Sequence, residues 1–137
     1  MLRAETKRRA RALQLLYAWE TRGRPPLSDL VLGLARLTGP EPTLLDQAEA
    51  LSARVIGAEH ALDKLIQEAA EHWRLDRIGL MERMILRLGC AELQDPSVPP
   101  RTAIEESLWL THRFVGPAAV PFVNGVLDRV GQRLGRL

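Results

Sequence analysis

Apolar positions recur at three- and four-residue steps along most of the chain, the spacing that gathers side chains on one face of an α-helix. From Thr6 to Glu20, residues Ala10, Leu13, Leu16, Tyr17 and Glu20 hold this spacing, so the apolar members share a stripe, and Gly23 with the pair Pro25 and Pro26 ends the helix. Leu27, Leu30, Val31, Leu34 and Leu37 predict a second, short helix that stops at Thr38-Gly39-Pro40. Thr43, with Asp46 three residues on, reads as an N-cap for a third helix. Its stripe, Leu44, Ala48, Leu51, Val55, Ala58, Leu62, Leu65 and Ala69, predicts one long helix bent at Gly57.

A fourth segment carries Leu80, Met81, Met84, Ile85 and Leu88 and ends at Asp95-Pro96, because proline cannot continue a helix. Val98-Pro99-Pro100 reads as an extended connector. Thr102 and Glu105 have the capping-box spacing for a helix bearing Ala103, Ile104, Leu108 and Trp109, which runs to Gly116-Pro117. Phe122, Val123, Val126, Leu127, Val130 and Leu134 mark the last helix. No segment alternates with a period of two, and aromatic residues are only 4% of the chain, so no sheet is expected. The pattern describes an all-α single domain over residues 1–137 with mostly short connectors and no internal repeat.

Length and composition agree with that reading. A chain of 137 residues with 46% apolar and 26% charged positions can bury a sizeable core without staples. Cys90 is the only cysteine, which excludes an internal disulfide or a cysteine-cluster zinc site and suits a reducing cytoplasm. No apolar run approaches the roughly 20 residues that span a bilayer, and no hydrophobic segment follows the basic start, so neither export nor membrane insertion is expected.

The net charge of +2 conceals a polar distribution. Residues 1–24 hold seven basic groups against Glu5 and Glu20, whereas residues 41–71 hold seven acids against Arg54 and Lys64. Seventeen of the nineteen basic residues are arginine, a side chain that forks onto phosphate and stacks on bases, although a GC-rich genome gives the same bias.

Catalytic constellations are absent from the sequence pattern. His60, His72 and His112 have no metal-ligand spacing and read as surface or cap histidines. The glycines stand singly, so no phosphate-cradling loop exists. Cys90 sits between Gly89 and Ala91 in an apolar segment and reads as a small buried thiol. Glu105 and Glu106 point about 100° apart on a helix and do not share a site, which leaves Glu105 as a cap. No metal, cofactor or catalytic residue is expected.

What remains is a basic helix. Lys7, Arg8 and Arg11 lie at three- and four-residue steps, with Arg9 to the side and Arg3 close by, forming a strip that suits a phosphate backbone or a solvated face. Tyr17 and Trp19, on the same helix, could stack on bases or fill the core. In Phe122-Val123-Asn124-Gly125, two poor helix formers interrupt an apolar stripe. Three readings stand for this segment: a helix start displaced downstream, a glycine needed for close packing, or Asn124 at an RNA- or protein-facing helix end.

Taken together, KRRARALQLLYAWE, HWRLDRIGLMERMILRLGCAEL, VPPRTAIEESLWL and FVNGVLDRV resemble the NusB family of transcription antitermination factors over essentially the whole chain. Residues 24–60 match only in helical character. The resemblance implies about six to seven helices packed as two bundles, with no catalytic activity. It implies binding to NusE, also a small-subunit ribosomal protein, and with it to the boxA RNA element of ribosomal RNA leaders, within an elongating RNA polymerase antitermination complex that holds other Nus factors. Homodimers occur in the family, and the sequence leaves the oligomeric state open.

By position, the resemblance makes Lys7, Arg8 and Arg9 the RNA-binding arm, which the basic strip extends to Arg3 and Arg11, and it makes Phe122 and Asn124 neighbours of the RNA groove. It makes Tyr17 and Glu82 part of the NusE-facing surface. Three departures stand out, one of them Ala91, where an aromatic is common. Glu105 replaces a common asparagine, and Ala118, Ala119, Val120 and Pro121 form an apolar lead-in where charged residues are usual. Two other readings remain: a helical module that binds protein only, and an RNA-binding domain related to those at the front of some ribosomal RNA cytosine methyltransferases. The basic first helix speaks against the former, and the short chain leaves no room for a methyltransferase's cofactor-binding sheet.

Overall fold

Prolines and glycines set most of the helix ends in the computed structural model, which describes residues 2–71 and 74–137. The described residues form seven α-helices and no strand: α1 (Ala4–Thr21), α2 (Leu27–Thr38), α3 (Pro42–Gly57), α4 (Glu59–Ala70), α5 (Leu80–Gln94), α6 (Pro100–Phe114) and α7 (Val120–Arg133). Short 3-10 turns, Leu75–Arg77 and Pro117–Ala119, lead into α5 and α7. The expected all-α class holds. Among the described residues no helix is long and apolar enough to cross a membrane.

The chain divides into two compact units, Met1–Gly57 and Ala58–Leu137. In the first, α1 packs on α2 and α3, and α2 on α3. The Ser52 hydroxyl of α3 donates to the Ala12 carbonyl of α1 at 3.2 Å, a buried bond that fixes how these two helices register. At the end of α1, Gly23 takes a φ of +80°, and the Arg24 N–H reaches back to the Trp19 carbonyl at 2.8 Å, the helix-terminating arrangement that glycine favours.

In the second unit, α5 is the central helix. Every residue from Met84 to Leu93 is buried, as expected for a helix covered on all sides by α4, α6 and α7. Gly89 permits the approach: a Cβ there would stand 2.7 Å from Ser107 Oγ on α6 and 3.1 Å from both Leu127 methyls on α7. Arg87, buried on α5, clasps Asp63 of α4 with two hydrogen bonds, Nε at 2.7 Å and Nη2 at 2.8 Å, and Glu59 lies 3.6 Å from Nη1. Arg129 of α7 caps the end of α4 through the Ala69 carbonyl at 2.9 Å.

Four expectations need correction. The long third helix is two helices, separated at Ala58, whose φ of −113° and ψ of 13° leave the α-helical region. The apolar stripe does not register the interruption because its three- and four-residue steps run on through Ala58 in the sequence. Thr43 and Thr102 are not N-caps, since Pro42 and Pro100 occupy the first helical turn ahead of them, where a missing N–H costs nothing. Glu105 accordingly lies exposed inside α6 and caps nothing. Asn124 and Gly125 lie within α7, which begins upstream of Pro121, so neither a downstream start nor an end position holds. A Cβ on Gly125 would meet nothing within 4 Å, which removes the close-packing reading too.

Candidate nucleic-acid interface

The basic strip of the first unit is narrower than its sequence. Lys7, Arg8 and Arg11 are half-buried and Arg3 is exposed. Arg9, by contrast, is 4% exposed and engaged. Helical geometry explains the difference: Arg9 stands about 200° from both Lys7 and Arg11 but only some 40° from Leu13, so it shares the buried stripe instead of the cationic one. The expectation that Arg9 presents a surface cation is therefore corrected. Arg11 is partly committed as well, donating from Nη1 to Gln14 Oε1 at 3.2 Å. Lys7 borders a hollow of about 530 Å³ whose other wall includes Glu41 and the first turn of α3.

The two aromatic residues of α1 part company. Tyr17 is 38% exposed, whereas Trp19 is buried, with the Arg24 guanidinium 4.3 Å from its ring centre. Glu20 also pairs with that arginine, Oε2 standing 2.9 Å from Nε. Tyr17 thus leaves the apolar stripe that the spacing assigned it, and Trp19 takes a core position the spacing did not show.

In the second unit, Glu82 and Phe122 line one cleft of about 460 Å³. Arg77, Ile78 and Gly79 bring its first wall from the approach to α5, and Val115, Ala118 and Ala119 bring the second from the link between α6 and α7. Of the apolar lead-in before Phe122, Ala118 and Ala119 line this cleft, while Val120 and Pro121 begin α7. Sequence reasoning missed Arg77, Gly79 and Val115. The only signal was the spacing of Gly79 and Glu82, which places an acid three residues after a helix-starting glycine.

Asn124 lies elsewhere. It is exposed and faces a groove of about 780 Å³ bordered by Arg101 and Glu105 of α6, Asp128 of α7 and the C-terminal Arg136 and Leu137. Arg136 is occupied in latching the tail, donating to the carbonyls of Leu93, Asp95 and Val98. The structure does not bring Phe122 and Asn124 to a common site.

Cys90 is fully buried, and desolvation, reinforced by the charge of Asp63, pushes its thiol up to about 12, so it is protonated and unreactive at neutral pH. His60 and His112 are exposed, and His72 lies outside the described residues. Among the described residues no three His, Cys, Asp or Glu side chains cluster as a metal site.

A family profile described as the NusB family matches residues 6–132. Transcription antitermination protein NusB of Sorangium cellulosum is 35% identical over 135 residues, covering 98% of this chain and 96% of that protein. Its counterpart in Anaeromyxobacter dehalogenans is 33% identical, covering 98% and 94%. Among solved structures, antitermination factors NusB and NusE in complex with double-stranded RNA include a chain that superposes with a TM-score of 0.83 at 27% identity, covering 97% of this chain and 99% of that one. The solution structure of NusB from Aquifex aeolicus gives a TM-score of 0.81 at 26% identity, covering 96% and 89%. With the profile and the full-length relatives in agreement, this chain belongs to the NusB family.

Proposed function

We propose that the protein is a transcription antitermination factor that binds the boxA element of ribosomal RNA leader transcripts together with NusE and, with other Nus factors, joins the elongating RNA polymerase in the cytoplasm. The observation that carries this reading is the match over 97% of the chain to a fold solved in a complex of NusB, NusE and double-stranded RNA. The cationic strip of α1 supports it. Arg3, Lys7, Arg8 and Arg11 supply the charge that neutralises phosphates and sets orientation, which is a sequence-independent contribution. Arg9, being buried, is left out of this set.

Discrimination between sequences needs contacts to bases, and the cleft beside Phe122 is where an aromatic ring stands next to hydrogen-bonding groups. Tyr17 and Glu82 serve NusE in this reading. Tyr17 offers an exposed ring with a polar tip, the kind of side chain that anchors protein interfaces. Glu82 offers a carboxylate at the edge of the cleft. The function is binding alone, with no catalytic group. The direct test is a titration of boxA RNA with and without NusE: tighter binding in the presence of NusE supports the proposal, and no binding in either case refutes it.

A further inference from the structure

Gly79 is the N-cap of α5, and its carbonyl accepts the first helical hydrogen bond from Arg83 N–H at 2.9 Å. Its φ of −54° and ψ of 146° are open to any amino acid, so the backbone does not call for glycine here. The demand comes from a side chain. A Cβ at this position would stand 2.9 Å from Glu82 Oε1 and 3.5 Å from Glu82 Cδ. The Glu82 carboxylate therefore occupies the space that a side chain on residue 79 would fill.

We propose that Gly79 is a positioning residue whose missing side chain lets Glu82 fold back along the start of α5 and present its carboxylate at the cleft wall. This rests on the reading of Glu82 as a NusE contact and adds how the contact is held ready. Glutamate has several rotatable bonds, and a carboxylate already laid against the backbone loses less freedom when a cation or N–H donor of the partner arrives. A Cβ on residue 79 leaves the charge in place but turns the carboxylate away. The clash falls on the far end of a flexible side chain, so the fold itself tolerates the change.

The test is the affinity for purified NusE, measured by calorimetry for the wild type, Gly79→Ala, Gly79→Ser, Glu82→Ala and the double variant Gly79→Ala with Glu82→Ala, each with its melting temperature. Serine is a favoured N-cap, so Gly79→Ser keeps α5 well started while adding the Cβ. Glu82→Ala is expected to weaken binding by about tenfold, in the range of an interfacial charge contact. Both Gly79 variants are expected to weaken it by about three- to tenfold, and Gly79→Ala to add nothing in the Glu82→Ala background. If Glu82→Ala weakens binding while Gly79→Ser and Gly79→Ala leave it unchanged, the positioning role is overturned and the NusE reading stands. Equal losses from Gly79→Ala with and without Glu82 also overturn it, because the effect would not pass through the carboxylate. If Glu82→Ala binds NusE like the wild type, the reading of Glu82 falls and the positioning role falls with it.

Discussion

Phe122 and Asn124, two residues apart on α7, face different hollows: Phe122 lines the cleft shared with Glu82, and Asn124 the groove bordered by Glu105 and Asp128. Helical geometry requires it, since residues two apart point about 200° from each other. An RNA strand following the Phe122 side does not meet Asn124 along the same face.

That separation gives the first prediction. Phe122→Leu keeps most of the apolar volume but removes the ring, so boxA affinity is expected to fall by about 1–3 kcal/mol with little change in melting temperature. Asn124 is exposed, and its groove sets Glu105 and Asp128 against Arg101 and Arg136, the last latched to backbone carbonyls, so it offers phosphate no net positive surface. Asn124→Ala is expected to change RNA affinity by less than about 0.5 kcal/mol. Filter binding or fluorescence anisotropy with folded variants checks both, and a larger loss for Asn124→Ala than for Phe122→Leu would move the RNA to the other face of α7.

A second prediction concerns ionic strength. If Arg3, Lys7, Arg8 and Arg11 each meet one phosphate, single-strand binding falls with a slope of about −0.7 per contact, and the affinity drops roughly fifty-fold between 50 and 200 mM salt. Arg8→Ala should make the slope shallower by about 0.7. Arg9→Ala should act differently, lowering the melting temperature because its side chain is buried. A salt-independent affinity in the wild type would exclude the cationic strip as the RNA contact.

The third prediction is about stability. Arg87 is 5% exposed at its side chain and relies on Asp63, itself 21% exposed, for both of its short hydrogen bonds. Removing one partner of a buried pair leaves the other charge uncompensated, which costs about 3–5 kcal/mol when both are fully buried. The partial exposure of Asp63 and the nearness of Glu59 reduce this, so Asp63→Ala is expected to cost about 2–3 kcal/mol in chemical denaturation. A change below about 0.5 kcal/mol would mean that the pair contributes nothing to the junction of α4 and α5.

The helices were readable in the sequence because their apolar stripes repeat with the helical period, from Leu13 in α1 to Val130 in α7. Their starts are less legible. Thr43 and Thr102 have the right chemistry for caps, yet the prolines ahead of them begin the helix first, and a spacing rule does not rank the two signals. The break at Ala58 is invisible in the sequence because the steps Val55, Ala58 and Leu62 keep the helical spacing across it. In the candidate interface, Lys7, Arg8 and Arg11 were readable as one strip, while the burial of Arg9 followed from the same periodicity once Thr6, Leu13 and Leu16 were seen to share its side. The cleft was not readable at all, since it joins the start of α5 to the link before α7, and only the fold brings Glu82 beside Phe122.

Recognition of boxA RNA together with NusE is tested most directly by the equilibrium affinity of the full chain, in the presence of saturating NusE, for boxA RNA and for a permuted strand of equal length and composition. Phosphate contacts are the same in both strands, so any difference reports on base recognition. The expected result is tighter binding of boxA by about tenfold or more, corresponding to about 1.4 kcal/mol. Equal affinity for the two strands would contradict boxA recognition and leave only an electrostatic attachment to RNA.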